Sequence, residues 1–262
     1  MTLEDGQAHK TEVGPHSLIG NYAGDYRIAF TIMTAELLQM MHPAIAAGVR
    51  DHSRFMKTNR GRIERIRRSV TPILQVVYSE HPDEVGKWIR DQHPGINGSY
   101  TNEDGQPVDY HALNPDTFWW AHATFQNAMV GGVIERFDKH GLSAEDKELL
   151  VEEGADWYSR YGVSTKPVPK TYTDFERKWN EVCDNTLQMT PAAEQMIRMA
   201  NIFPPARILM IGGLPARVRE RFNIPWTERD QDRLKRIESF VKNHWPDNGI
   251  YMRTARQGRK RP

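Results

Sequence analysis

The stretch Ile28-Ala29-Phe30-Thr31-Ile32-Met33-Thr34-Ala35-Glu36-Leu37-Leu38-Gln39-Met40-Met41 decides the class of fold. Its apolar positions recur at the 3.6-residue period of an α-helix rather than the two-residue period of a strand. The apolar character continues to Val49 but is interrupted by Glu36, Gln39, His42 and Pro43. It therefore falls short of the roughly 20 apolar residues that a bilayer span needs. The segment predicts core helices of a soluble protein.

The same period returns outward from this stretch, at Ile63, Ile66, Val70, Ile73 and Val77, and again from Val85 to Ile96. Helix starts are marked by capping-box spacing at Thr173 with Glu176, Ser143 with Asp146 and Thr227 with Asp230. Asn114-Pro115 and Thr190-Pro191 place a capping residue before a proline at the first helical position. Helices are predicted near 115–138, 144–161, 173–189, 191–201 and 228–244. Residues 98–112 read as a polar loop or a short hairpin, and Gly212-Gly213 as a helix stop. Pro43, Pro72 and Pro94 follow His42, Thr71 and His93 in these segments. Each either kinks a helix around a bound object or simply begins or ends one. No internal repeat or Gly/Ser-rich linker divides the chain. One all-α domain over 21–246 is expected, with an N-terminal extension over 1–20 and a basic tail over 247–262.

Composition excludes several classes. The 262 residues are 39% hydrophobic and 26% charged, an ordinary globular mixture, and a net charge of +1 gives no argument for nucleic acid as a partner. A single cysteine, Cys183, rules out an internal disulfide framework and suits a reducing compartment. The first 25 residues carry Glu4, Asp5 and Glu12 and no apolar h-region, so a cytoplasmic protein without stable membrane insertion is expected. The oligomeric state is not legible.

The candidate chemistry lies in the histidines. His42, His52, His93 and His122 sit in apolar or aromatic settings, the last within Trp119-Trp120-Ala121-His122-Ala123-Thr124. There is no His-Glu-x-x-His, Cys/His cluster or Glu-x-x-His pair, and no phosphate-binding glycine loop or serine-hydrolase elbow. His93 is the best candidate metal ligand, because Ile89, His93 and Ile96 fall at i, i+4 and i+7 and would turn the imidazole to the core, with Arg90 beside it. A lone histidine in a helical core is more often structural than a ligand. Aromatic residues Phe118, Trp119, Trp120 and Phe125, many methionines, and Arg67 and Arg90 nevertheless suit a flat apolar cofactor carrying carboxylates, a description that haem meets.

Several blocks in order carry a family likeness. They are Leu37 through His42-Pro43 to Asp51-His52-Ser53; Arg67 with Thr71 and Tyr78; Arg90-x-x-His93-x-x-Ile96-x-Gly98; and Asn114-Pro115 leading into Trp120-Ala121-His122-Ala123-Thr124. In this succession the chain resembles the catalytic domain of bacterial rubber oxygenases (latex clearing proteins) and MpaB-type oxygenases. The likeness runs from about residue 20 to 235 and takes in Trp157 to Pro169 and the Phe203-Pro204-Pro205 to Pro225-Trp226 region.

The resemblance implies a globin-like helical domain enclosing haem b, with His93 as proximal iron ligand and Arg90 in the motif's arginine position. Arg67 and Thr71 match the family's arginine–threonine pair and share a helix face by i, i+4 spacing. His42 and His122 are expected as hydrogen-bonding pocket residues, and Asp51 or His52 as a distal base. Val70 stands where rubber oxygenases have a distal lysine, Pro94 follows the ligand, and Asn97 replaces a later arginine. These departures, with the missing export signal, argue against polyisoprene as substrate and favour the MpaB-like branch. The expected activity is a haem b-dependent oxygenase using dioxygen, or a peroxide, on a small apolar or isoprenoid-like substrate, by oxidative attack on a carbon–carbon double bond. Alternatives are a haem peroxidase or dehydrogenase of a small metabolite, a non-catalytic haem or gas-binding protein, and a helical interaction protein whose histidines are all structural.

Overall fold

A computed structural model describes residues 12–52, 70–102 and 104–245. The expected positions Arg67, Ile63 and Ile66, and the basic tail, lie outside these residues.

The deciding stretch becomes a short 3-10 turn, Tyr26–Phe30, followed by helix α2, Ile32–Met41. α2 is buried on nearly every side, which is why its sequence is apolar all round rather than striped. Three of the buried polar groups on α2 and its cap find partners across the core. Thr31 Oγ1 donates to Met129 O at 2.9 Å, Thr34 Oγ1 to Met210 O at 3.0 Å, and Gln39 Nε2 to Thr124 Oγ1 at 2.8 Å.

Around α2 the described chain is mainly helical. α1 (Leu18–Ala23) precedes it, and α3 (Pro43–His52), α4 (residues 70–78) and α5 (Pro82–Asp91) follow. Then come α6 (Pro115–Ala123), a π-helical segment (Thr124–Gly131), α7 (Gly132–Phe137), α8 (Ala144–Ser159) and α9 (Tyr172–Asn185). The last four are α10 (Pro191–Ala200), α11 (Pro204–Gly212), α12 (Ala216–Arg221) and α13 (Glu228–His244). Four caps fall where the sequence placed them: Ser143 and Thr227 close capping boxes with Asp146 and Asp230, and Asn114 and Thr190 cap helices that begin with proline. The capping box expected at Thr173 with Glu176 needs correction: α9 is capped two residues earlier by Thr171, whose side chain accepts from Asp174 N, and Thr173 lies within the helix. The α2 side chains meet the α6–α7 continuum in antiparallel order, Thr31 against Met129 and Gln39 against Thr124. This carries the His42 end of α2 toward the first half of α6.

One further expectation needs correction. The helix predicted to run to Ile96 stops at Asp91, so His93 stands in the turn beyond it and Ile96 leads into a strand. The Pro94-Gly95 pair cannot continue a helix, and local breakers outweigh the apolar period there. Of the two readings of residues 98–112, the hairpin is the one formed: β1 (Asn97–Thr101) pairs antiparallel with β2 (Pro107–His111), Asn97 opposite His111 and Thr101 opposite Pro107. It lies on α3, where Ala44 and Ala47 make room for Tyr110 and Ile96. Of the three prolines, Pro43 opens α3, Pro94 follows the end of α5, and Pro72 lies in α4. No helix among the described residues is long and apolar enough to cross a membrane.

Candidate functional site

His93 gains its orientation from the end of α5. Its backbone N–H donates to Arg90 O at 2.9 Å, and its ring Nδ1 lies 2.7 Å from Ile89 O. A carbonyl oxygen only accepts, so Nδ1 carries the proton and the neutral ring keeps its lone pair on Nε2. That is the nitrogen a metal would take. The ring is half-buried and meets Phe118 edge-on at 5.7 Å between centroids.

From Phe118 an aromatic cluster extends inward. Phe118 meets Tyr161 at 5.4 Å and Tyr158 at 6.0 Å, both near right angles. One helical turn further along α6, His122 lies among the rings of Trp157, Tyr158 and Tyr161 at 5.0, 5.3 and 5.7 Å. Edge-to-face contacts of this kind add to the area buried and fix ring orientation. His122 Nε2 donates to Gly154 O at 2.9 Å, and burial lowers the imidazole to about 4, so it is neutral at physiological pH. Burial likewise holds the Tyr158 and Tyr161 hydroxyls above the usual phenol range.

Gly154 is what lets α8 come this close. A Cβ there would collide with the Gln126 carboxamide, which is held by a 3.0 Å bond to Leu150 O. His42, at the carboxyl end of α2, is also buried, and burial lowers it to about 4. Its Nδ1 has no hydrogen-bond partner among the described residues.

The remaining expected residues sit elsewhere. Arg90 pairs with Asp91 at 2.8 Å and reaches across Gly162, whose φ of +64° and close contact with the guanidinium both suit glycine. Thr71 is exposed on α4. Asp51 and His52 end α3 against the hairpin: Asp51 accepts from Arg50 at 2.6 Å and from the Tyr110 hydroxyl at 2.8 Å, and His52 Nε2 lies 3.1 Å from Asn97 O. Arg50 first, then Tyr110, hold the Asp51 carboxyl down to about 2. Such a carboxylate is a weak base at neutral pH. The structure thus gathers His93 and His122 around one aromatic cluster and ties Asp51 and His52 into the α3–hairpin seam.

Sequence reasoning did not single out Gly154, Trp157, Tyr158, Tyr161 or Tyr110 as site residues. The i, i+1, i+4 spacing of the aromatics at 157, 158 and 161 was the available signal, and it looks the same in any packed core.

Among the described residues no group of three or more His, Cys, Asp or Glu side chains could hold a bare metal ion. One imidazole is nevertheless sufficient for a porphyrin iron, whose macrocycle supplies the other nitrogens. A single histidine with a fixed tautomer, an aromatic neighbour and an arginine three residues before it is a donor set that fits haem.

The fold and the cluster define a mainly helical protein built around one oriented imidazole and a set of edge-packed rings. Residues 20–243 match the family model described as ER-bound oxygenase mpaB/B'/Rubber oxygenase, catalytic domain, and the chain belongs to that family. The family is one of oxygenase catalytic domains, which places the chain with the oxidoreductases. Among curated proteins and among solved structures, none matches it.

Proposed function

We propose that the chain is a haem b-dependent oxygenase acting with dioxygen, or a peroxide, on a small apolar or isoprenoid-like substrate, by oxidative attack on a carbon–carbon double bond. The observation that carries this reading is the His93 ring, anchored through Nδ1 to Ile89 O in the tautomer whose Nε2 would ligate a metal. A second hydrogen bond of this kind is what sets tautomer and basicity in metal-bound histidines. In this reading His93 would hold the iron and Arg90 would face a propionate, a role the family resemblance also implies for Arg67. The haem, when bound, supplies the oxygen chemistry.

The chain's own residues supply surroundings and orientation. Phe118, Tyr158 and Tyr161 keep the inner side of the site dry, and His122 and His42 serve as neutral pocket residues. Thr71 would line the haem pocket, and His52 would serve as the base. Asp51, already engaged by Arg50 and Tyr110, is better suited to hold those partners than to take a proton. A cytoplasmic location completes the reading.

The test is haemin titration of the purified chain. One equivalent should bind with a Soret band, and acidified organic solvent should extract the pigment, because the chain has no Cys-x-x-Cys-His for covalent attachment. His93→Ala should lose most of the binding, and His122→Ala should retain it with affinity altered by about 10- to 100-fold. An unchanged spectrum in His93→Ala would refute the ligand assignment, and a chain that binds no haemin would refute the haem reading.

A further inference from the structure

The turn between α10 and α11 carries the most exposed large apolar side chains among the described residues. Ile202 is 84% and Phe203 63% exposed, and Asn201, Pro204 and Pro205 beside them are exposed as well. Single apolar residues at a surface are ordinary, whereas a contiguous apolar tip marks a surface that meets something other than water.

The backbone of the tip is equally suited to leave water. Asn201 N–H donates to Ile197 O, Ile202 N–H to Met199 O and Phe203 N–H to Ala200 O, each at 3.1 Å, while Pro204 and Pro205 have no N–H to give. Ala206 N–H then bonds back to Phe203 O at 3.0 Å. No backbone donor from 201 to 206 is left for solvent, which is the condition a segment entering a lipid phase must meet. The same bonds fix the turn, so Ile202 and Phe203 are held outward.

The surroundings are cationic. Arg207, one turn beyond Phe203, reaches Asp230 at 3.3 Å, and Arg233 approaches the same carboxylate oxygen at 4.0 Å. This joins the tip to α13, where Arg229, Arg233, Arg236 and Phe240 follow at i, i+4, i+7 and i+11 and form one stripe. Arg229, Arg236 and Phe240 are exposed. The exposed acids of α13, Glu228 and Asp232, lie on the neighbouring stripe with Lys235. One turn before Ile202, Arg198 pairs with Glu194. A rigid apolar tip beside a row of arginines is complementary to a bilayer that has an anionic headgroup layer over its hydrocarbon.

We propose that the 201–205 tip and the arginine stripe of α13 form a face that docks reversibly on an anionic lipid surface. Ile202 and Phe203 enter the boundary between headgroups and acyl chains, and Arg229, Arg233 and Arg236 pair with the anionic headgroups. Such docking is peripheral and needs no spanning helix. It does not depend on what His93 holds.

The test is co-sedimentation of the full-length chain with vesicles of phosphatidylcholine alone, or of phosphatidylcholine and phosphatidylserine at about three to one. Wild type should prefer the anionic vesicles and release them as salt rises. Ile202→Ser with Phe203→Ser should weaken binding at least about tenfold, since two apolar side chains no longer leave water. Arg229→Gln with Arg236→Gln should weaken it by about fivefold for each arginine. All four positions are exposed, so thermal unfolding should be unmoved, which separates lost docking from lost folding. Binding that survives either pair of substitutions overturns the proposal, because the basic residues from Arg253 to Arg261, intact in both variants, would then suffice. A wild-type chain that ignores the vesicles overturns it as well, whether it stays single or self-associates through this face.

Discussion

At the residue scale the two buried imidazoles make stability depend on pH. His42 and His122 are lowered from 6.5 to about 4 by burial, so between these values the unfolded chain binds protons that the folded chain does not. Their contribution is present above the unfolded value and lost as pH falls toward 4, up to about 3 kcal/mol for each. Glu153 opposes the trend, because burial raises its carboxyl and proton binding there favours the folded state. Urea unfolding of wild type should therefore weaken from pH 7 to pH 4.5 by more than that of His122→Phe. Parallel pH curves for the two proteins would contradict the buried neutral state. A second prediction concerns Gly154. Gly154→Ala places a methyl against the Gln126 carboxamide and should cost about 1–3 kcal/mol, with much of the loss recovered by Gln126→Ala, which removes the obstacle. Equal stability of wild type and Gly154→Ala would mean that α8 and the π-helical segment are not packed as described.

At the element scale the hairpin and α3 are joined by a few polar contacts. Tyr110 donates to Asp51, and Arg50 reaches both Asp51 and Ser99 O. Tyr110→Phe should raise the Asp51 titration midpoint above about 2, since one hydrogen bond to the charged form is lost, and should cost on the order of 1 kcal/mol or less. NMR titration of the Asp51 carboxyl reads the first effect and denaturant unfolding the second. A midpoint unmoved by the substitution would show that Arg50 alone sets it. Helix starts at this scale were legible because capping is local: Ser143 and Thr227 need only the three residues that follow them. The end of α5 was misread because apolar spacing at Ile89, His93 and Ile96 also fits a helix followed by a turn and a strand. The hairpin too was only half visible, since its strands are short and largely exposed, and β1 lacks the alternation that β2 shows.

At the scale of the whole molecule, distant segments are held by buried charges. Asp25 and Arg27 are 1–2% exposed in their side chains, pair at 2.7 Å, and anchor to α7 through Arg27 Nη1 and Phe137 O at 3.0 Å. Asp25→Ala would leave a guanidinium buried without its carboxylate and should cost about 3–5 kcal/mol, whereas Asp25→Ala with Arg27→Met should cost less. Denaturant midpoints of the two variants check the order; if the double variant is the weaker, the pair contributes more than the penalty of breaking it. Glu153 ties α8 to α1 in the same way, accepting from Leu18 N at 2.8 Å and Ile19 N at 2.6 Å.

By itself the sequence determined the helical class, most helix starts and the family blocks around His42, His93 and His122, because period, capping and motif order are written within a few residues of one another. Tertiary structure alone decided that the His93 ring is held by Ile89 O beyond the end of its helix, that Gly154 receives the His122 proton, and that Trp157, Tyr158 and Tyr161 surround His122. The contacts of His122 join residues more than 30 positions apart, between α6 and α8 or the turn that follows it, and depend on how closely two helices approach. No local pattern encodes that distance; it follows from packing, which at Gly154 permits no side chain at all.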